Sequence, residues 1–423
     1  MMKSSRMDAH NASRLHEISV KSRRPVVLRA RACALAGGLR LVMETAAVRE
    51  RAIQSGGLRA EEFATIALEA DGVLLAHVAR PERMEAYLRA MAMLRWHAAM
   101  RDSLGLLGQT PRVVVSGANG AIGGELCAWL RALGVQVDVL VRRGRSASNV
   151  AGGRAWWWEP REEGSVEPGA LDGAAAVVHM AAVNVVGRWT SERKRAIWES
   201  RVFGTGVIAR AAAESKLPPK VLVSASGAHA YGDRGDDTMT ENADYGSGFL
   251  ADLVRDWEAS LAPAREAGVR TVAARIGVVL HARSGAVREM ALPFGLGLGV
   301  IVGSGRQHWP WVSMVDAVGA IAHAMAHAQV DGPLNVVGPE EVTAGSFARA
   351  FARAVDRPLF GRMPASLLRG VMGEQVDGLI MSTRVAPSGL RRSGYAFALP
   401  GVESALRWEV GRVRPTDVGV DLV

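Results

Sequence analysis

Gly117, Gly120 and Gly123 stand three residues apart in "VVVSGANGAIGGELCAWLRALG", between a run of β-branched residues and an amphipathic stretch that reaches Gly134. Glycines at this spacing permit a tight turn, let backbone approach a pyrophosphate and let helix pack closely on strand, with phosphate at the helix N-terminus. A glycine triplet alone is weak evidence. The strand before it and the helix after it turn it into a dinucleotide-binding signal. The next strand run ends in "LVRRGR", where a protein that selects NAD presents a carboxylate to the ribose hydroxyls. Arg142 and Arg143 stand there instead. Two guanidinium groups neutralise and fork-bond a ribose phosphate, so the cofactor expected is NADP rather than NAD; the alternative is a solvated arginine pair after a strand. A third run, "VVHMAAVN", brings the small residues Ala181 and Ala182, which let the chain pass close beneath a cofactor or simply pack tightly.

These groups need a sheet to hold them. "RVVVSG", "VQVDVLVRR", "AAVVHMAA", "KVLVSASG" and "RTVAARIGVVL" are short β-branched runs separated by helix-like stretches. That alternation predicts an α/β fold, a doubly wound parallel sheet of the NAD(P)-binding Rossmann type with helices on both faces. The character of the chain changes at Pro111. We therefore expect an N-terminal extension of unknown role over 1–110, mostly helical or partly disordered, then the Rossmann domain over 111–282. A small α+β cap is expected over 283–410, on the substrate side, and a tail over 411–423. Within the extension, "ERMEAYLRAMAMLRWHAAMRDSLG" sets Met84, Tyr87, Leu88, Met91 and Leu94 on one helical face, a packing surface. "WWW" at Trp156–Trp158 is expected to pack a strand edge.

Composition bounds the function classes. The 423 residues carry a formal charge of +9, and the only lysines are Lys3, Lys21, Lys194, Lys216 and Lys220, so the excess is arginine. No zinc spacing, helix-turn-helix or aromatic RNA-binding strand accompanies that charge, and nucleic acid is not an expected partner. The longest apolar run, "ALPFGLGLGVIVG", is too short and too rich in glycine to span a bilayer. Cys33 and Cys127 show no disulfide pattern and fit a reducing, cytoplasmic compartment. The Arg/Ala/Ser-rich start leaves import into an organelle open.

In order along the chain, "SGANGAIG", "HMAAVN", "GRWTSERKRAIWESRVFGT", "SASGAHAYGDRGD", "DWEASLAPAREAGVRTVAARIGVVL", "FGLGLGVIVGSGRQHWPWVSMVD" and "GPLNVVGP" resemble the epimerase-like branch of the atypical extended short-chain dehydrogenase/reductases. The resemblance runs from about Pro111 to Trp408 and includes the branch's small C-terminal region; some relatives carry a helix-grip domain upstream. It implies that Gly117, Asn119, Gly120, Ala121 and Ile122 hold the pyrophosphate turn and that Arg142 and Arg143 take the adenosine-side phosphate. It also implies that Met180 and Ala181 line the cofactor path, that Arg201 reaches toward it and that Val278 lies near the nicotinamide. Arg201 has an alternative as the ion-pair partner of Glu199 or another acid. Two departures touch polar substrate contacts. The family's "LAGEN" is here "MAAVN", with Val183 for a carboxylate, and its "PWIHIDD" is "PWVSMVD", with Ser313 for a histidine.

Ordinary short-chain reductases exchange a proton through a tyrosine whose pKa a lysine four residues on lowers, while a serine orients the substrate oxygen. Here Ser226 matches the serine. The stretch "GSGFLADLVRDWE" has neither tyrosine nor lysine, as is general in this branch, and its Phe249, Leu250, Leu253, Val254 and Trp257 form a packing face. Tyr231 is the expected substitute proton donor, with His229 and Tyr245 behind it. Arg306, Gln307, His308, Trp309 and Trp311 either grip a phosphorylated or aromatic ligand or dock the cap. The expected function is an NADP-dependent, epimerase-like oxidoreductase acting on a carbonyl, alcohol or sugar-nucleotide-like small molecule. The rival is a redox sensor or assembly factor that binds NADP(H) without turning it over.

Overall fold

The computed structural model describes residues 111–144, 153–185 and 187–418, the helix and turn at 84–108, and four short strands nearer the ends of the chain. Two compact units emerge: Met100–Val410, and Met1–Ala99 together with Gly411–Val423.

In the larger unit seven strands form one sheet: β1 (Arg112–Ser116), β2 (Gln136–Arg142), β3 (Ala155–Trp158), β4 (Ala176–His179), β5 (Val221–Gly227), β6 (Arg270–Ile276) and β7 (Gly332–Val336). Their spatial order is β3-β2-β1-β4-β5-β6-β7, and every ladder is parallel. A parallel sheet covered by helices must be apolar on both faces. Val113, Val114 and Val115 in β1 and Val221, Leu222 and Val223 in β5 accordingly have no exposed surface. Strand order reverses between β1 and β4, which opens a crevice at their carboxyl ends, the place where such sheets bind ligands. The doubly wound Rossmann architecture is as expected.

Helices α1 (Ala121–Ala132), α2 (Ser191–Ala213), α3 (Phe249–Ala259) and α4 (Met314–Ala326) flank the sheet. In α1, Leu126, Cys127, Trp129 and Leu130 are buried, one apolar stripe at helical spacing. Burial pushes the Cys127 thiol up to about 11, so it behaves as a small hydrophobe. Thr190 opens α2 by accepting from the Arg193 amide, and Ser313 opens α4 by accepting from the Asp316 amide. Ser313 is thus engaged as a helix cap. The tryptophan run forms β3 at the sheet edge: Trp158 packs inward against His179, and Trp156 donates to Asp138 at 3.0 Å.

The boundary expected at residue 282 is crossed. The chain leaves the sheet after β6, builds part of the cap, then returns through α4 to add β7 beside β6. Only five residues form β7, and Pro333 interrupts its β-branched signal, so its membership depends on pairing with β6 rather than on local pattern. The cap itself is α+β. It contains Gly285–Gly295, α5 (Ala344–Ala354) and Val402–Val410 as helices, and Gly299–Val302 pairs in parallel with Leu359–Met363.

In the smaller unit, Val26–Arg31, Ile66–Leu68, Val73–Val78 and Val420–Leu422 form an antiparallel four-stranded sheet. The segment expected to be mostly helical or partly disordered therefore carries strands besides Met84–Leu104, and the expected tail supplies an edge strand. "VVLRAR" and "VLLAHV" are short runs inside Ala/Arg-rich surroundings whose helical propensity masks them. The side chains of Met84, Tyr87, Leu88, Met91 and Leu94, the Arg/Ala/Ser-rich start and Cys33 lie outside the described residues.

Candidate functional site

The glycine turn closes directly on the end of β4. Gly117 has φ +75°, and a Cβ there would stand 2.6 Å from the Met180 carbonyl carbon and 2.7 Å from the Ala181 nitrogen. Only glycine fits that backbone angle and that approach. The Gly120 amide donates to the Gly117 carbonyl at 2.8 Å, and a Cβ on Gly123 would stand 2.3 Å from the same oxygen. Gly117 and Gly123 therefore have a steric reason, while a Cβ on Gly120 would stand 3.2 Å from the Gly117 oxygen. Asn119, Gly120 and Ala121 are exposed and Ile122 half-buried at the start of α1, whose first turn carries no acidic residue. This leaves the positive end of the helix free to receive an anion.

At the end of β2, Arg142 and Arg143 are both exposed, and neither has an ion-pair partner among the described residues. The one carboxylate of that strand, Asp138, is buried and committed. It accepts from Arg112 at 2.9 Å, from the Arg154 amide at 2.9 Å and from Trp156. Burial works against its charge, but those donors outweigh it and hold its pKa below the ordinary value. The residues present thus fit a cofactor with a phosphate beside its adenosine, and offer no carboxylate for free ribose hydroxyls.

Met180 and Ala181 are half-buried at the mouth of the crevice, and the Met180 amide donates to the Ser116 carbonyl at 3.1 Å. Beneath them His179 is fully buried, with Nδ1 2.6 Å from the Ser116 hydroxyl; burial pushes its pKa down to about 4. Arg201 does not pair with Glu199, which binds Arg161. Its Nη1 donates to the carbonyls of Val183 at 2.9 Å and Ile197 at 3.2 Å, and its guanidinium lies 5.1 Å from the Trp257 ring centre. Arg201 thereby fixes the loop that follows β4. Burial lowers its pKa to about 10, and it stays charged at neutral pH. Val278 follows Gly277, and its amide donates to the Pro310 carbonyl at 2.7 Å, which ties the carboxyl end of β6 to the cap.

The expected catalytic pair has a different setting. Ser226, 5% exposed, donates to Glu258 at 2.6 Å. Tyr231 has no exposed surface; its hydroxyl donates to Asn335 at 2.6 Å and accepts from Arg275 at 2.9 Å. Arg275 in turn makes two bonds of 2.8 Å to the two oxygens of Glu258, and Tyr245 donates to Glu258 at 2.7 Å. Burial opposes the charge of Arg275, yet the Glu258 carboxylate overcomes this and raises its pKa above the ordinary value. For Tyr231, burial raises the pKa against the opposing pull of Arg275. Tyr245 is pushed up to about 12 by burial and by its bond to Glu258. A phenol that exchanges protons near neutrality needs the opposite shift. Tyr231 and Ser226, expected as proton donor and substrate-orienting group, both stand in this buried polar network.

His229 lies beside them, with its pKa lowered by burial. Sequence reasoning missed the two groups at the centre of this network. Glu258 stands off the apolar face formed by Phe249, Leu250, Leu253, Val254 and Trp257, and Arg275 sits in a strand that reads as ordinary β6 core. The one available signal was a lone arginine in the apolar run "TVAARIGVVL".

The tryptophan and arginine cluster mostly docks the cap. Trp309 donates to the Leu379 carbonyl at 2.8 Å and Trp311 to the Glu340 carbonyl at 2.8 Å, while Gln307 is buried on the Val302 carbonyl. Arg306 is exposed. Among the described residues no helix is long and apolar enough to cross a membrane, and no group of side chains could hold a metal ion.

The glycine turn and seven-stranded sheet define a dinucleotide-binding α/β protein, and residues 113–338 match the NAD dependent epimerase/dehydratase family. The chain belongs to that family. Residues 363–409 match a domain of unknown function, DUF1731, within the cap. Epimerase family protein Mb2239 of Mycobacterium bovis is 38% identical over 302 residues, covering 71% of this chain and 98% of that protein. Epimerase family protein SDR39U1 of Homo sapiens is 32% identical over 303 residues, covering 70% and 98%. The crystal structure of human SDR39U1 (isoform 2) with NADPH superposes with a TM-score of 0.63 at 30% identity, covering 70% of this chain and 98% of that one. The nucleoside-diphosphate sugar epimerase structure from Corynebacterium glutamicum gives 0.67 at 27% identity, covering 84% and 72%.

Proposed function

We propose that this chain binds NADP(H) and acts as an epimerase-like oxidoreductase on a carbonyl or alcohol substrate at the carboxyl edge of the sheet. The observation that carries the reading is the Gly117 turn closed on Met180 and Ala181, with the exposed Arg142 and Arg143, without an ion-pair partner among the described residues, at the end of the neighbouring strand. The related human protein crystallised with NADPH supports it. In this reading Gly117, Asn119, Gly120, Ala121 and Ile122 receive the pyrophosphate. Arg142 and Arg143 neutralise the adenosine-side phosphate, Met180 and Ala181 floor the path, and Val278 borders the nicotinamide end. Arg201 is a positioning residue, since it acts through the backbone of Val183. A bound nicotinamide would supply or accept hydride. The test is thermal: NADPH should raise the Tm and NADH should not, because a ligand stabilises only through its affinity for the native state. Equal shifts would remove the argument from the arginine pair.

A second reading has its own support, the complete burial of the Tyr231 hydroxyl and its raised pKa. In it the chain binds NADP(H) as a sensor or assembly factor without turnover. A structure of the NADPH complex separates the two. A nicotinamide C4 facing an open cavity with a polar hydrogen donor in reach supports the enzyme, and C4 sealed by apolar side chains supports the sensor.

A further inference from the structure

The hydroxyls of Ser226, Tyr231 and Tyr245 are all committed to the buried network around Glu258 and Arg275. The side chain of His229 is not. It has no hydrogen bond or ion pair among the described residues, and it is half-buried rather than sealed. Burial lowers its pKa, so at neutral pH one ring nitrogen carries a hydrogen and the other keeps a free lone pair.

Exposure alternates along this part of the chain. Ala225, Gly227 and His229 are half-buried, whereas Ser224, Ser226, Ala228 and Ala230 are buried. Successive residues of a strand face opposite sides, so the end of β5 has one packed side and one open side. Ser226 lies on the packed side, where it meets Glu258; His229 lies on the open one.

The neighbouring strands fix the level. Gly227 is the register partner of Ile276 on β6, and two residues further on the chain reaches His229 on one side and Val278 on the other. Val278 is half-buried and borders the nicotinamide end in the reading above. On the opposite flank β4 pairs His179 with Ser224 and leads into Met180 and Ala181, the floor of the same path.

The turn Ala228–Tyr231 that carries His229 is itself held. The Ala230 carbonyl accepts from the Gly246 amide at 2.8 Å, the His229 carbonyl accepts from the Gly232 amide at 3.1 Å, and Tyr231 donates to Asn335 at 2.6 Å. The buried network thus fixes the backbone of a residue whose imidazole it leaves free.

We propose that His229 is the catalytic acid/base, exchanging a proton with the substrate oxygen as hydride moves between the substrate carbon and the nicotinamide. The assignment rests on the oxidoreductase reading above. In the oxidising direction the imidazole takes the hydroxyl proton onto its free nitrogen. The O–H pair becomes the second bond of the carbonyl, and the C–H pair leaves as hydride for NADP+, the oxidant. The imidazolium then releases its proton to water, and reduction runs the same steps backward.

The test treats the full chain with diethyl pyrocarbonate, which acylates neutral imidazoles, and reads each histidine by peptide mass spectrometry. NADPH at ten times its Kd or more should slow labelling of His229 by about tenfold, and the adenosine half of NADP, which lacks the nicotinamide, should not. His327, where α4 leads toward the amino end of β7, is the unaffected reference. Nitrogen NMR gives a second readout. The imidazole should titrate at least about half a pH unit lower with NADP+ bound than with NADPH bound, because the oxidised ring is a cation. His229→Asn breaks no side-chain bond and is expected to fold and keep the NADPH thermal shift. Any turnover of simple aldehydes, ketones or alcohols by the parent should fall at least about a hundredfold in kcat in this variant, with the KM for NADPH unchanged. Equal labelling with and without NADPH while the Tm rises, equal titration in the two complexes, or an undiminished kcat each overturns the proposal and leaves the cofactor reading standing. No Tm rise with NADPH removes the cofactor reading, and this assignment with it.

Discussion

Arg275 on β6 and Glu258 on α3 form a two-pronged ion pair whose side chains are 3% and 7% exposed. The guanidinium also lies 5.0 Å from the ring centres of both Tyr231 and Tyr245. The pair joins the carboxyl end of the sheet to α3.

Breaking that pair by one partner leaves a buried charge uncompensated. Glu258→Leu or Arg275→Met alone should cost roughly 3–5 kcal/mol of stability, and the double variant Glu258→Leu, Arg275→Met less than the sum of the two. Urea unfolding of the four proteins measures this. Additive losses would show that the two residues are not coupled.

Tyr231→Phe removes one hydroxyl from the network and leaves Asn335 and Arg275 without it. We expect a loss of about 1–3 kcal/mol in urea unfolding, with NADPH affinity unchanged. A variant with wild-type stability and no turnover of a substrate, once one is found, would restore the phenol to the chemistry.

Much of this was legible in the chain. The three glycines, the arginines after β2 and the alternation of strands and helices are local patterns, and the turn, the exposed pair and the sheet follow them. The buried network was not legible, because Glu258 looks like any helix-surface glutamate until α3 is packed against β6. The same holds for β7, which becomes a strand only beside its neighbour. Long-range pairing is the information a window of sequence does not contain.

Gly117→Ala tests the turn. The positive φ and the 2.6 Å approach to Met180 should together cost about 1–3 kcal/mol and abolish the thermal shift given by NADPH. Gly134, whose φ is +82° with nothing within 4 Å, is the control: Gly134→Ala carries only the backbone strain and should keep the shift.

The buried His179 sets a pH dependence. Its pKa is pushed down to about 4 by burial, against about 6.5 in an unfolded chain, so the unfolded state binds the proton first as pH falls. Stability present above pH 6.5 is therefore lost on acidification toward pH 4, at up to about 1.4 kcal/mol per pH unit. His323, likewise pushed down to about 4 by burial, adds a slope of the same sign. Urea midpoints of the parent and of His179→Asn between pH 4.5 and 7 isolate the first contribution: the variant should show the shallower decline, and parallel curves would exclude it.

Arg201 carries its charge into the interior with backbone carbonyls as its hydrogen-bond partners and no carboxylate against it among the described residues. Mobile ions in solution screen Arg142 and Arg143, but they do not reach a cation under the Met180–Val183 segment. Attraction for an anionic nucleotide would then divide into a fraction that fades as electrolyte is added and a residue that persists, a permanent electropositive floor built into the loop after β4.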